Sequence, residues 1–260
     1  MIEITDIAGQ MPSAIESTLE ALLSSSDSEL AETGEELSLY YRTAGIAELL
    51  LNLNVDEFYH MLIRSALTRI YVYKKLTDAA KVNDRFCKSS RAACFYDALA
   101  ARRTDLAQQI ANSAPQQKSI FEYEDDYDYV RFLFELVNEA GEETLKGILE
   151  QFQTDLQGDK SPRFLVCKAL LEREQEDFDT YFDALLLNWA QYLDDQKESM
   201  SRDEVAYAGN QHLFIEGLAL LNIADSLGLK TKPGYDYCPK EARRPMKKEF
   251  LMDSFPLSPV

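Results

Sequence analysis

The sequence predicts an all-α protein: an array of antiparallel helical hairpins, about ten helices in a tetratricopeptide-like architecture, ending in an irregular C-terminal tail. Three observations carry this. Apolar residues recur at helical spacing, i, i+3, i+4 and i+7, along most of the chain. No stretch alternates apolar and polar residues between hairpin turns. Ten Gly and eight Pro in 260 residues are too few for a fold made of many tight turns. The length allows one large domain or two small ones. Helical periodicity runs through residues 1–230, read as one domain, while residues 231–260 hold five of the eight prolines and read as an irregular tail or wrapping segment.

The elements follow in order. Ser13 and Glu16 fit a capping box ahead of Ile15, Leu19, Leu22 and Leu23. Residues 24–28 form a polar break, and a helix is expected over Leu37–Leu53 with Gly45 as its weak point. Asp56 is suited to cap the next helix, running to about Ala79. Ser89 or Ser90 opens a segment through Phe95 and Leu99, and Thr104 caps a short helix through Ile110. After a loop at 112–119, Val130, Leu133, Phe134 and Val137 mark a helix ended by Gly141, and Leu145, Ile148, Leu149 and Phe152 mark another closed by Gly158. Ser161-Pro162 sets a cap before Pro at the first helical position. Phe178, Tyr181, Phe182, Leu185 and Leu186 follow on the next helix. Ser201 and Glu204 fit a second capping box, expected to open one long helix to Leu227, with Gly228 as its C′ residue. The pairs Ala98-Leu99 with Asp105-Leu106, and Ala169-Leu170 with Asp177-Phe178, echo each other as two helix–turn–helix units. The 34-residue tetratricopeptide period is absent, so the likeness is one of architecture.

Charge narrows the function. With 27 Lys and Arg against 45 Asp and Glu, the formal net charge is −18. Such a surface repels nucleic-acid phosphates and anionic lipid and suits a basic protein partner; solubility alone is the plainer reading. Residues 1–63 hold twelve acids and one base, residues 64–118 eleven bases and four acids, and residues 119–230 twenty-five acids and nine bases. The basic block is spread over several helices and is expected to pair with the acidic blocks inside the fold. The densest cluster is Glu122, Tyr123, Glu124, Asp125, Asp126, Tyr127, Asp128 and Tyr129. Carboxylates attract Lys and Arg, and tyrosines give rigid contact area at low entropic cost, so these eight residues are the candidate partner-binding site. The structural alternative is that acids favour a helix N-terminus and that some tyrosines are core, Tyr123 and Tyr127 continuing the face of Val130 and Phe134. The acidic run Glu172–Asp179 reads as a solvated turn.

Reactive groups are scarce. Glu57 and His60 have the spacing of half a bundle di-metal site, but Gly209 stands three residues before the only other histidine, His212, so the second half is missing. No nucleophile elbow and no phosphate-cradling glycine loop occur. The sequence predicts no cofactor and no metal. No apolar run approaches the roughly 18 residues of a membrane span. The chain begins with acids where a signal peptide carries Lys or Arg, and Cys87, Cys94, Cys167 and Cys238 form no C-x-x-C pair. A cytoplasmic protein with reduced, buried thiols is expected.

Four segments resemble the immunity protein 49 family: Arg91–Leu99, Glu122–Tyr129, the helical Gln211–Leu229 ending in Gly-Leu, and the Tyr-x-Tyr-x-Pro stretch Tyr235–Pro239. The likeness spans about residues 85–240 and supplies no individual binding residue. It implies an all-α bacterial protein, encoded beside a polymorphic toxin, that binds and neutralises that cognate toxin in the producing cell or its siblings. The acidic charge suits a basic toxin, such as one attacking nucleic acid. Two other readings stand beside this one: a tetratricopeptide-like scaffold or adaptor binding several partners, and a helical enzyme, which a deep pocket of convergent carboxylates with perturbed pKa would favour. Oligomeric state is left open.

Overall fold

Short turns join helices that fold back on one another. The computed structural model describes residues 3–257; among them are thirteen α-helices, two 3-10 turns and no β-sheet. The helices are α1 Ile4–Ala8, α2 Met11–Ser24, α3 Asp27–Asn52, α4 Val55–Lys75, α5 Asp78–Asn83, α6 Ala93–Ala100, α7 Thr104–Ser113, α8 Glu124–Val137, α9 Glu142–Asp155, α10 Pro162–Glu172, α11 Gln175–Glu198, α12 Glu204–Asn210 and α13 Ile215–Ser226. The expected hairpins form as α3–α4, α6–α7, α8–α9 and α10–α11, each pair packed together across two to four residues. In each, a left-handed residue ends or follows the first helix: Leu53, Arg102, Glu139 and Arg173. This conformation turns the chain back and satisfies the last carbonyls.

Several boundaries differ from the sequence expectation, each for a local reason. The polar break at 24–28 is itself a capping box, Ser26 with Glu29, so α3 begins ten residues before Leu37. The first long helix starts at Met11 rather than at a Ser13 cap. Asn54, not Asp56, caps α4 by accepting from the Glu57 amide at 3.3 Å. Thr77 caps a separate α5, so α4 stops at Lys75. Arg103, not Thr104, is the cap residue of α7. Asp203, rather than Ser201, caps α12, accepting from the Val205 and Ala206 amides at 3.0 Å.

The expected long helix to Leu227 is broken at residues 211–214. There the Phe214 amide donates to the Tyr237 carbonyl at 2.8 Å, so the tail captures a donor the helix would have used. Beyond the break, α13 is apolar on nearly every side, as a fully buried helix must be. It packs on α6. The tail wraps back across the core. Cys238, Ala242, Phe250, Phe255 and Leu257 are buried in the main cluster. On α4, Tyr59 Oη lies 2.8 Å from the carbonyls of both Ala242 and Arg244, and Asp56 accepts from the Lys247 amide at 2.6 Å.

Gly45, read from sequence as a weak point, is a place where α3 and α4 approach closely. A Cβ there would meet Met61 Cβ at 2.9 Å and the Phe58 carbonyl oxygen at 3.0 Å. Gly45→Ala is therefore expected to lower stability by about 1–3 kcal/mol, against the usual gain from Ala in a helix. Urea denaturation reads this; an unchanged or higher midpoint would contradict the packing.

Candidate partner-binding site

The eight-residue acidic and aromatic run lies at the start of α8, and the fold divides it in two. Glu122 is buried and ties loops together: its carboxylate accepts from the Ser90 amide at 2.7 Å and the Ser119 amide at 2.8 Å. Tyr127 is buried and donates to the Gln116 carbonyl at 3.1 Å. Tyr129 is buried and donates to Glu216 at 2.8 Å, across to α13. Asp128 is buried against Asp155 of α9. The other four face outward. Tyr123, the cap residue, is 76% exposed; Glu124 pairs with Lys118; Asp125 and Asp126 are half-buried on the wall of a cleft.

That cleft has a volume of about 920 Å³. Its walls are the start of α8, the connection from α9 into α10, the middle of α11 and the α12–α13 break. Five acids line it, Glu124, Asp125, Asp126, Asp155 and Asp159, against two cations, Lys160 and Arg163. Arg163 is already engaged. It holds Glu216 in a two-bond pair at 3.0 and 2.8 Å, reaches Asp126 at 3.2 Å, and lies over the Tyr129 ring at 4.8 Å. The cleft is therefore negative, and its remaining wall is aromatic: Trp189 stacks on Phe214 at 4.4 Å and on Tyr192 at 5.2 Å.

Beside the cleft stands an apolar tip that sequence periodicity missed. Ile120 is 89% exposed and Phe121 47% exposed, in the turn leading to Tyr123. Large apolar side chains grouped at a surface, rimmed by charge, have the anatomy of a protein interface. The available signal was two apolar residues in a segment with no helical face to join. Asp155, Asp159, Trp189 and Tyr192 come from other helices, and only the fold brings them to this place.

The four cysteines are free and buried, and burial pushes the Cys87 thiol up to about 11. Glu57 and His60 serve structure: Glu57 pairs with Arg64 at 2.8 Å, and His60 bonds the Lys248 carbonyl at 2.9 Å. Among the described residues no cluster of three or more metal-ligating side chains occurs, and no helix is long and apolar enough to cross a membrane. The basic block does pair inside the fold, as Arg69–Glu35 and Arg91–Glu35 show.

Two carboxyls at the start of α8 are pushed above the usual carboxylate range: Asp126 on the cleft wall, by burial against the pull of Arg163, and the buried Asp128. Burial, then the contact with Asp155, pushes Asp128 up to about 7, because two adjacent carboxylates resist ionising together. Asp128 is buried and does not line the cleft, whereas its neighbour Asp155 does. Its raised pKa favours the protonated fold, so its contribution is intact near pH 4 and is lost as pH rises through about 7. Asp128→Asn is expected to gain stability over wild type steadily across that range, reaching about 1–2 kcal/mol at pH 8. Parallel wild-type and variant denaturation midpoints from pH 4.5 to 8 would contradict this.

A family model described as Immunity protein 49 matches residues 88–242, about three fifths of the chain. The chain belongs to the immunity protein 49 family. No curated protein and no solved structure matches it. The immunity protein 49 segment takes in α6 to α13 and the first part of the tail, and so contains the whole acidic cleft and the apolar tip. Helices α1 to α5 lie outside that segment and pack onto it through α4 against α6 and α7 and through α1 and α3 against α12.

Proposed function

We propose that this protein is a bacterial, cytoplasmic immunity protein that binds a cognate polymorphic toxin encoded beside it and disables it by covering its working surface. It acts without catalysis of its own. The observation that carries this is the exposed tip of Ile120, Phe121 and Tyr123 beside a cleft whose acids outnumber its free cations. The tip supplies the desolvated centre of an interface, and Glu124, Asp125, Asp126, Asp155 and Asp159 its charged surround. A basic toxin fits that surround, above all a nuclease whose phosphate-binding cleft is positive. Carboxylates in place of phosphates would speed encounter and block the substrate.

The test is to co-express the adjacent toxin gene with wild type and with Glu124, Asp125, Asp126, Asp155 and Asp159 changed to their amides. The variant is expected to associate about tenfold more slowly at low salt, with a flatter salt dependence and weaker protection. Unchanged protection with an unchanged salt slope would remove this face from the interface.

A further inference from the structure

We propose that the cleft carries a subsite for an arginine side chain of the docked partner, with Tyr192, Asp125 and Asp159 among its walls. This rests on the reading of the cleft as the toxin-facing surface and gives that partner a specific chemistry. The rings of Phe214, Trp189 and Tyr192 form a near-parallel ladder, tilted by 22° and 28° between neighbours. Phe214 is buried, and Tyr192 is 44% exposed. A flat cation extends such a ladder. The guanidinium is planar, weakly hydrated and stacks on aromatic faces, while an ammonium is a compact, strongly hydrated point charge.

The carboxylates that a guanidinium needs are also present and unused. Asp125 and Asp159 line the cleft, and among the described residues neither carboxylate takes part in an ion pair or accepts a hydrogen bond. The protein builds the same arrangement twice from its own side chains. Arg163 lies over Tyr129 while pairing with Glu216, and Arg202 lies 4.7 Å over Tyr207 while pairing with Glu204 at 2.7 Å. Both Arg163 and Arg202 are held by these partners, so neither competes for the open ring.

Trp189 is the only tryptophan of the chain and the middle rung of the ladder, so its emission reports the subsite directly. The full chain would be titrated at low ionic strength with an end-blocked Gly-Arg-Gly-Arg-Gly peptide and with its lysine and citrulline counterparts. The arginine peptide is expected to give a saturable change in emission at about fivefold lower concentration than the lysine peptide or less, and citrulline none. Tyr192→Leu should bring the arginine-to-lysine ratio to about one. Should that variant misfold by circular dichroism, Asp125→Asn with Asp159→Asn leaves the ladder intact and should weaken the arginine peptide about fivefold. Equal arginine and lysine affinities in wild type, a preference kept in Tyr192→Leu, no loss in the double asparagine variant, or no saturable change would overturn the subsite. Cells protected from the toxin despite a negative peptide result would overturn the subsite alone. Unprotected cells would overturn the toxin reading whatever the peptides do.

Discussion

Arg42→Ala is expected to lower folding stability by about 3–5 kcal/mol, more than any single change on the cleft. Arg42 on α3 grips Asp97 on α6 with two bonds, at 2.7 and 2.6 Å, and Ser65 on α4 donates to the same carboxylate. Asp97 is fully buried. Even with its partners in place, burial holds its carboxyl above the usual range. Removing the guanidinium leaves a charge without compensation in the place where three helices meet. The loss should shrink at acid pH, where Asp97 takes up a proton, and be largest above neutrality. Replacing both members, Arg42→Met with Asp97→Leu, should recover most of the stability, because a well-packed apolar pair needs no desolvation of charge. Urea denaturation of the single and double variants measures this. A single variant as stable as wild type would mean that the pair contributes nothing net.

The second large effect concerns binding. Ile120→Asp combined with Tyr123→Ala is expected to weaken toxin affinity by about 100-fold or more, mainly through faster dissociation. Both side chains project from the turn before α8 and make few contacts within the chain, so the fold should be indifferent to their loss. A denaturation midpoint within about 0.5 kcal/mol of wild type serves as the control. Surface plasmon resonance against the toxin separates this effect from that of the acids, which should act on association. An unchanged dissociation rate would take the tip out of the interface.

These expectations show where the sequence was readable. Helical faces such as Val130, Leu133, Phe134 and Val137 announced themselves because one periodicity both forms the helix and buries it. The hairpins followed, since a polar junction like that around Arg173 has nowhere to go but the surface. The break before α13 was hidden because its cause is 23 residues away: the Tyr237 carbonyl that takes the Phe214 amide. The acidic run was visible as a density of charge, but not its division into inner and outer halves. Tyr129 turns inward to meet Glu216, 87 residues further on, and Asp128 turns toward Asp155 on the next helix. The cleft itself was not legible, because Asp159, Trp189 and Tyr192 are isolated letters until α10 and α11 carry them beside α8. Ile120 and Phe121 could have been noticed, since large apolar residues in a loop lack the helical face that would explain them.

Neutralisation by docking is read most plainly from the survival of cells that express the toxin gene proposed to lie beside this one, with and without this protein. The toxin alone is expected to stop growth, wild type to restore it with a one-to-one complex recoverable from the lysate, and the Ile120→Asp, Tyr123→Ala variant to fail, as neutralisation by docking requires. Growth arrest that wild type fails to relieve, with no complex formed between the two purified proteins, would contradict it.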